Sequence, residues 1–427
     1  MLLLYRLVLY LFFPLLALRL FLRASRNRRY FERLGQRFGF GLEQVVESQG
    51  GTIWIHAVSV GEVNAAVPLA RHFLETYPEF PVVITTMTPT GSDRVQKLLG
   101  KSVSHCYLPY DYPGAVNRFY RAVNPVLGMV METEIWPNLI THGHRTGVPL
   151  IYTNVRLSQR SFEGYYRFRS LFAPILRKVT HFAVQSQADA KRLIDLGADE
   201  DVVEVTGSIK FEIDLLASAL EAAQSVRRDL GVDRTVWVAG STHENEESQV
   251  LDAFIEARAE HPDLLLVLVP RHPERFNAVF RLCNRYDCTT LQRTQFPGAL
   301  PEDTDVYLVD TMGELMLMIA AADFAFIGGS LVPTGGHNVL EACAASRAVI
   351  FGPHMFNFQE ISDMVLARGA GVQVMDTAEL ADVAMKLATD PVLRDQYGSA
   401  GREFVEENRG ALDTITRRVE PILRSKT

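Results

Sequence analysis

The chain has 427 residues, of which 48% are hydrophobic, so it is too long for one ordinary core and apolar enough to fill two domains. Its formal net charge is −7, from 43 Lys and Arg against 50 Asp and Glu, which disfavours nucleic acid as a partner. The four cysteines show no CxxC spacing and no metal-ligand companions, so we expect reduced thiols, a cytosolic protein and no metal site.

An apolar segment opens the chain. Residues 1–22 are interrupted only by Arg6, Pro14 and Arg19, and the uncharged stretch between the two arginines is shorter than the roughly 20 residues that a bilayer core requires. A single span and a shallow in-plane anchor both fit this pattern. The arginines between Arg23 and Arg37 attract anionic lipid and keep the downstream chain in the cytoplasm, and they oppose export by a signal peptide. We therefore predict a membrane anchor in residues 1–22 and a basic juxtamembrane segment in residues 23–50.

Short apolar runs alternate with helical patterns after residue 50. The predicted strands of the first set are Thr52–Val60, Pro81–Thr88, Pro125–Thr133, Val148–Val155, His181–Ser186 and Val202–Ser208. Helical patterns such as Glu62–Tyr77 separate them. Continuous apolar strands with amphipathic helices between them predict an α/β domain, over residues 51–213, with a parallel sheet covered on both faces.

The same alternation restarts after a charged helical stretch, Leu215–Asp233. The predicted strands here are Thr235–Gly240, Leu264–Val269, Val306–Val309, Phe324–Gly328 and Ala348–Phe351. We predict a second domain of the same class over residues 214–427, with its last helix free to pack back on the first domain. No low-complexity linker is present, so we expect the two domains to share a cleft.

The segment 324–358 contains a strand, a glycine-rich turn, a helix start and a second strand. In an α/β sheet this order puts backbone amides at the carboxyl edge, where they can face a phosphate, at Gly328, Gly329, Gly335 and Gly336. Asn338 and Glu341 are three residues apart, so they would point together at a ribose or base. The alternative is a turn capped by Asn338, with Glu341 completing a capping-box-like start. Capping alone does not require paired glycines or His337.

Acidic residues follow two strands of the first domain. Glu62, in the sequence SVGE, falls at the first turn of a helix. There it either stabilises the helix dipole, which is worth roughly 0.3–1 kcal/mol, or accepts a proton from an attacking alcohol. Glu132 and Glu134, in METEIWPN, fall on one side of an extended chain. We expect at least one of them at the cleft, with Glu134 the better candidate for a solvated loop acid.

Basic residues converge from other strand ends. Lys210, in GSIKF, closes the first domain, and Arg271 and His272 follow the strand Leu264–Val269. Such cations suit a departing phosphate and a substrate carboxylate. The turn Thr311–Glu314 could bring backbone amides to a nucleotide, with a simple helix start as the alternative.

Three other motifs do not indicate a site. The sequence around Gly100–Ser102 lacks the first glycine of a phosphate loop, because Val95 stands in its place. The acids of Asp199–Asp201 fit solvated charge. His142 and His144 have no acidic or cysteine companion, so we interpret them as surface residues.

Six motifs together resemble the Kdo transferase family. They are SVGE at 59–62, METEIWPN at 131–138, GSIKF at 207–211, PRHPERF at 270–276, DTMGEL at 310–315 and GGSLVPTGGHNVLEACA at 328–344. The resemblance covers essentially the whole chain. It implies an inverting glycosyltransferase that moves 3-deoxy-D-manno-octulosonic acid (Kdo) from CMP-Kdo to lipid A precursor (lipid IVA) in lipopolysaccharide synthesis. It also implies an α/β GT-B fold, with two Rossmann-like domains facing a cleft, and neither a cofactor nor an obligatory catalytic metal.

The resemblance further implies individual roles. The general base falls on Glu62, and the transition-state-stabilising positions fall on Glu132 and Lys210. The CMP contacts fall on Arg271, His272, Met312, Gly313, Glu314, Asn338, Val339, Leu340 and Glu341. The acceptor half falls on the N-terminal domain and the CMP half on the C-terminal domain.

The acceptor is a lipid, so the resemblance also implies inner-membrane lipids as partners and a location at the cytoplasmic face of the inner membrane. Arg94, Arg156 or Arg160 could receive the acceptor's phosphates. Two other functions stay open. One is another nucleotide-sugar enzyme of the same fold, such as an epimerase or hexosyltransferase, and the other is a non-catalytic, membrane-tethered nucleotide-binding module.

Overall fold

The computed structural model describes residues 1–26, 28–42, 45, 50–212 and 217–426. The chain divides into two compact units. Unit 1 comprises Met1–Glu212 together with Arg409–Thr427, and unit 2 comprises Ile213–Asn408. Residues 409–427, which the sequence analysis counted with the second domain, therefore belong to unit 1.

Unit 1 is built on a seven-stranded parallel sheet with the strand order β3-β2-β1-β4-β5-β6-β7. The strands are β1 Thr52–His56, β2 Val82–Thr86, β3 Ser104–Tyr107, β4 Pro125–Met131, β5 Leu150–Val155, β6 His181–Val184 and β7 Val203–Val205. The central strands are buried along their whole length, as expected for strands covered on both faces. The six predicted strands are all present, and the edge strand β3 is additional.

Helices cover both faces of this sheet. They are α1 Leu2–Leu11, α2 Phe13–Arg26, α3 Val60–Thr76, α4 Pro89–Leu99, α5 Pro113–Val123, α6 Pro137–Thr146, α7 Gln159–Tyr166, α8 Arg169–Leu176 and α9 Gln187–Leu196. Strand β1 ends at His56, four residues before the predicted end, because Val60 already belongs to α3.

Unit 2 has a second seven-stranded parallel sheet, with the order β10-β11-β9-β8-β12-β13-β14. The strands are β8 Thr235–Thr242, β9 Leu264–Pro270, β10 Thr290–Gln292, β11 Val306–Leu308, β12 Phe324–Ile327, β13 Ala348–Phe351 and β14 Gly371–Gln373. The five predicted strands are present. The additional strands β10 and β14 form the two edges of the sheet.

The helices of unit 2 are α10 Ala217–Leu230, α11 Glu247–Glu260, α12 Phe276–Cys283, α13 Leu315–Ala321, α14 Leu340–Ala344, α15 Gln359–Ala367, α16 Thr377–Thr389 and α17 Pro391–Asn408. Residues 213–216, which include the first two residues of the predicted helical stretch Leu215–Asp233, lie outside the described residues. The last helix of the chain, α18 Ala411–Arg424, packs against α3 and β4 of unit 1, and buries Ile415 and Val419 in that core.

Each sheet has one point where the chain reverses the direction in which strands are added. This point lies between β1 and β4 in unit 1, and between β8 and β12 in unit 2. In open parallel sheets such a switch point leaves a crevice at the carboxyl ends of the strands, where ligands bind. The residues that follow β1, β4, β8 and β12 are therefore the first to search for a site.

The two N-terminal helices pack against unit 1 but keep most of their apolar side chains exposed. The Tyr5 hydroxyl donates to Asp111 at 2.9 Å, and Arg6 Nε donates to Asn138 Oδ1 at 2.7 Å. Side chains such as Leu3 and Leu11 are 70% and 75% exposed. Among the described residues, no single helix has the length and apolar composition to cross a bilayer, whereas α1 and α2 taken together, with a 52° bend, do.

Candidate functional site

Glu62 lies in the first turn of α3, directly after β1, and is only 7% exposed. Its carboxylate accepts hydrogen bonds from the Val58 amide at 2.8 Å and from the Ser59 hydroxyl at 3.2 Å. The side chain thus secures the turn that leads into the helix, in the manner of a capping residue. The same turn places the carboxyl group at the switch point of the sheet.

Glu132 follows the neighbouring strand β4 with a left-handed backbone, at φ +57°. Its amide donates to the Thr153 carbonyl at 2.9 Å, which continues the pairing of β4 with β5 for one further residue. A residue with a side chain rarely adopts this conformation, and such strain concentrates at functional positions. Glu132, at the edge of the crevice, therefore adopts a left-handed backbone conformation that costs conformational energy.

Three carboxylates of unit 1 influence one another. The pKa of Glu62 is raised to about 8, mainly by burial and to a smaller extent by the negative charges of Glu132 and Glu134, while the hydrogen bonds from Val58 and Ser59 oppose the shift. Burial also raises the pKa of Glu134, with a smaller contribution from Glu132. Glu134 is half-buried, so the expectation of a solvated loop acid is wrong. A base with a pKa near the working pH is well matched to accept a proton.

Lys210 lies in a short 3-10 helix, Ile209–Phe211, that packs against α3. Ile209 is buried in the same core as residues of β1 and α3, which brings this segment back from the far edge of the sheet. Within the described residues, the Lys210 ammonium has no ion-pair partner. Unit 1 therefore places one cation and the Glu62 carboxyl on neighbouring elements.

Asn154 holds the Lys210 segment in place. It is fully buried at the end of β5 with φ +56°, and its Oδ1 accepts from the Ser208 hydroxyl at 3.0 Å and from the Ile209 amide at 3.3 Å. Asn154 was not predicted as a site residue because it lies inside the predicted strand Val148–Val155. Only the tertiary structure reveals its contacts.

In unit 2 the glycine-rich turn after β12 already holds a carboxylate. Glu246 is fully buried and accepts hydrogen bonds from the amides of Gly329, Ser330 and Leu331 at 2.7, 3.0 and 3.0 Å. Gly328 makes room for it, since a Cβ there would lie 2.7 Å from Glu246 Oε2. Of these three amides, that of Gly329 was expected to face a ligand phosphate, but in this structure it donates to an internal carboxylate instead.

Cationic and imidazole side chains gather at the ends of β8, β9 and β12. His243 Nε2 lies 2.8 Å from His337 Nε2, and their rings are stacked at a centroid distance of 5.1 Å. The ring of His272 meets that of His243 edge-on at 5.3 Å. Burial, together with the charges of Arg271 and the other imidazoles, lowers the pKa of His337 to about 3. The predicted residues Arg271 and His272 thus belong to a larger cluster.

Asn338 and Glu341 lie together at the start of α14. Asn338 Oδ1 accepts from the Leu340 amide at 3.2 Å, but the N-cap of α14 is Val339 and no side chain caps this helix, so Asn338 forms a turn before the helix and not the expected cap. Burial raises the pKa of Glu341, while Arg271 and the hydrogen bond to Asn338 oppose the shift. Val339 and Leu340 are fully buried.

The turn after β11 is the last predicted contact region. Gly313 has φ +92°, and Met312 is 47% exposed. The Glu314 carboxylate pairs with Arg293 at 3.2 Å and accepts from the Thr311 hydroxyl. Its charge is therefore already neutralised within the unit.

The three motifs that were not predicted to form a site have structural roles. His142 is buried with its ring centroid 4.6 Å from that of Tyr120, so its prediction as a surface residue is wrong. Asp199 is exposed and pairs with Arg177 at 3.5 Å, and residues 100–102 form a 3-10 turn. In the part of the chain that the structure describes, no group of three or more His, Cys, Asp or Glu side chains is arranged to hold a metal ion.

His243 and Glu246 were missed although a signal for them existed. Both follow directly after the apolar strand β8, in the same position that drew attention to Arg271 after β9. The predicted strand ended at Gly240, two residues short of its observed end, and the polar residues beyond it were not considered.

Comparison with known proteins gives one family. A family model described as 3-Deoxy-D-manno-octulosonic-acid transferase (kdotransferase) matches residues 32–213. The 3-deoxy-D-manno-octulosonic acid transferase of Haemophilus influenzae is 40% identical over 413 residues, which are 96% of this chain and 96% of that protein.

Two solved structures are also similar. The C-terminal CMP-Kdo binding domain of WaaA from Acinetobacter baumannii is 33% identical, with a TM-score of 0.42, and covers 45% of this chain and 100% of that one. A glycosyltransferase from Rickettsia africae is 15% identical, with a TM-score of 0.50, and covers 88% of this chain and 99% of that one. The second likeness concerns the fold of two parallel-sheet α/β domains. Identity of 40% across nearly the whole of both chains shows that the protein belongs to the Kdo transferases, the glycosyltransferases that act in lipopolysaccharide biosynthesis.

Proposed function

We propose that the chain is an inverting glycosyltransferase of the GT-B class that transfers Kdo from CMP-Kdo to lipid A precursor (lipid IVA). The observation that carries this proposal is the environment of Glu62. A carboxyl group that is buried at a switch point, with its pKa raised to about 8 and two further carboxylates nearby, is suited to remove the proton of an alcohol.

The reaction requires removal of the acceptor's proton, stabilisation of positive charge on the sugar and stabilisation of negative charge on the departing CMP. The bond between the anomeric carbon of Kdo and the phosphate oxygen breaks, and its electron pair leaves with CMP. The acceptor oxygen forms the new bond to that carbon, and its proton passes to Glu62. Positive charge develops on the sugar as CMP departs, and a carboxylate such as Glu132 stabilises it, while Lys210 stabilises the departing anion.

The donor half of the proposal rests on unit 2. Arg271 supplies positive charge at the end of β9, with the His272 imidazole next to it in the chain, and Asn338 and Glu341 supply polar groups for the ribose or base. The exposed turn with Met312 and Gly313 offers backbone amides. The side chain of Glu314 is engaged by Arg293, so we assign it an indirect part, in which it shapes this turn.

The acceptor half includes the membrane. Exposed apolar side chains on α1 and α2, followed by the arginines of residues 23–37, offer a hydrophobic and an electrostatic attraction to anionic lipid. We propose that they hold the enzyme at the cytoplasmic face of the inner membrane. Arg156 and Arg160 lie exposed just beyond β5 and are proposed contacts for the acceptor's phosphates.

A turnover assay with paired donors tests the proposal. Purified enzyme is supplied with a lipid A precursor and either CMP-Kdo or UDP-hexoses, and lipid products are identified by mass spectrometry. We expect a Kdo-bearing lipid from CMP-Kdo alone. Transfer or epimerisation of a UDP-sugar would favour another nucleotide-sugar enzyme, and CMP binding without any product would favour a non-catalytic nucleotide-binding module.

A further inference from the structure

Unit 2 holds a cluster of imidazole and guanidinium side chains, and two of its members, His243 and His337, are not among the expected CMP contacts. His243 and His337 approach to 2.8 Å between their Nε2 atoms, with His272 edge-on to His243. Arg271 raises the positive potential at this pair, and its charge also acts on the Glu341 carboxyl. These side chains come from the ends of three adjacent strands, β9, β8 and β12.

The backbone amides of the neighbouring turn after β12 are not free to bind a phosphate. Its amides at Gly329, Ser330 and Leu331 are satisfied by the buried Glu246 carboxylate. An incoming phosphate could reach these amides only by displacing the Glu246 carboxylate, which is fully buried. Positive charge for a phosphate at this crevice must therefore come from side chains.

The fold holds the histidine pair in a defined place. Gly329 leaves the room for the His337 ring, because a Cβ there would lie 3.1 Å from Cδ2 and 3.2 Å from Nε2. The amide of His243 donates to Glu246 at 3.1 Å, so one carboxylate fixes both the turn and the segment that carries His243. The two imidazoles are thus oriented by a shared internal support.

We propose that His243 and His337 share one proton between their Nε2 atoms and, with Arg271, bind the phosphate of the nucleotide donor and take up a further proton as its negative charge grows. This inference rests on the proposed function. It assigns the pair a phosphate-binding role at the site where CMP departs.

Burial and the surrounding positive charges disfavour a second, charge-bearing proton on the histidine pair before the ligand binds. Burial, and then the charges of His272, Arg271 and Arg275, lower the pKa of His243, and burial with Arg271 lowers that of His337. Glu246 faces the pair but is committed to four backbone amides. A bound phosphate offsets the cationic potential, which raises both histidine pKa values and favours proton uptake.

The proton that the histidine pair takes up matches the negative charge that the phosphate gains. When the sugar–oxygen bond breaks, the phosphate keeps the electron pair and its charge becomes more negative by one. A proton from solvent then joins the histidine pair, while the acceptor's proton leaves through Glu62. The pair stabilises the product CMP as it forms, which is where anion stabilisation accelerates the reaction.

Calorimetry with CMP and cytidine tests the inference on the full-length protein. Binding is measured at about pH 7.5, above the second pKa of about 6 of a phosphate monoester, so that CMP is already doubly charged. Two buffers of different ionisation enthalpy are used, so that proton uptake by the protein can be counted. The variants are His243→Asn and His337→Asn, with thermal melting to confirm that each is folded. His261→Asn is the matched control, because His261 bonds Thr389 elsewhere in unit 2.

We expect the wild type to bind CMP with net proton uptake and to bind cytidine more weakly without it. Each Asn variant should lose the uptake and about tenfold in CMP affinity, the value of one charge-assisted hydrogen bond, and the control should lose neither. Unchanged uptake and affinity in a folded His243→Asn or His337→Asn variant would overturn the role of the pair. Failure of the wild type to bind CMP at all would instead refute the donor site, and this inference with it.

Discussion

The carboxylate oxygens with which Glu62 stabilises local structure are also those that we propose for its role as a base. Its carboxylate secures the turn before α3 through Val58 and Ser59, and it is also the buried group at the switch point of the sheet. Burial favours the neutral form and the two hydrogen bonds favour the charged form. The balance leaves a carboxyl that can change protonation near neutral pH, which a general base requires.

The first prediction concerns the pH dependence of turnover. The rate should rise with pH and level off above about pH 8, because Glu62 must lose its proton to act as a base. Glu134→Gln should shift this limb toward lower pH, since one nearby negative charge is removed. Initial rates between about pH 5.5 and 9.5 measure the shift. Glu200→Gln, an exposed acid on a different turn, is the control, and an equal profile in wild type and Glu134→Gln would contradict the coupling.

The second prediction concerns stability. The folded-state pKa of Glu62 lies above its ordinary value of 4.5, so its favourable contribution to folding is complete below that value and is lost as pH rises through about 8. Glu62→Gln should therefore melt at a higher temperature than the wild type above pH 8, with the difference disappearing below about pH 4.5. Thermal melting across this range is the measurement. A variant that is less stable than the wild type at alkaline pH would show that the carboxylate's hydrogen bonds outweigh its burial.

Residue patterns anticipated part of the site. A carboxylate after β1 and a cation after β9 could be recognised because each directly follows a continuous apolar run. His243 and Glu246 follow β8 in the same way, but they appear in a polar sequence without glycine. The partnership of Glu246 with the turn after β12 joins residues more than 80 positions apart, and no local pattern encodes it.

At the scale of elements, all of the inner strands were predicted, whereas three of the four edge strands were not. Strands such as β9, whose seven residues are all buried, form apolar runs. The three missed strands, β3, β10 and β14, lie at sheet edges and are three or four residues long with partly exposed side chains. A short strand with one neighbour needs less apolar surface, so its sequence carries a weaker signal.

The third prediction concerns the segment that carries Lys210. Asn154→Ala removes the acceptor for Ser208 and Ile209 and places alanine at φ +56°, so kcat should fall about tenfold or more, the cost of one or two lost hydrogen bonds. Asn154→Gly, which tolerates the backbone, should recover stability but not kcat.

The matched control is Asn124→Ala, which adopts φ +46° at the end of α5. It should lose stability for the same conformational reason while keeping kcat, because its side chain has no contact with the Lys210 segment. Steady-state kinetics together with thermal melting separates the two effects. If both alanine variants lost kcat equally, Asn154 would have no specific role in placing Lys210.

At the scale of the whole molecule, the N-terminal helices combine two functions. Their exposed apolar surface fits a lipid interface, while Tyr5 and Arg6 bond to Asp111 and Asn138 in unit 1. Burial raises the pKa of Asp111 to about 7, and hydrogen bonds from Asn138, Leu139 and Tyr5 oppose the shift. The anchor proposed from the sequence is thus attached to the unit that carries Glu62.

The fourth prediction tests this anchor. Deletion of residues 1–22 should leave both sheets folded, because their strands begin at Thr52, but should weaken attachment to anionic liposomes. The remaining arginines should give only salt-sensitive binding, at about 1 kcal/mol per residue near the surface. Flotation at low and high salt measures both contributions. If the truncated protein floated as fully as the intact protein at high salt, the anchor would have to lie elsewhere in the chain.

The central claim is that this chain transfers Kdo from CMP-Kdo with Glu62 as the base, and a paired measurement on Glu62→Gln tests it most directly. The variant's rate of Kdo-lipid formation is compared with its CMP affinity, both relative to the wild type. We expect turnover to fall by roughly 10²–10⁴, because the amide cannot accept a proton. CMP affinity should stay unchanged, because the proposed CMP contacts are residues of unit 2. Near-wild-type formation of Kdo-lipid by the folded variant would contradict the account.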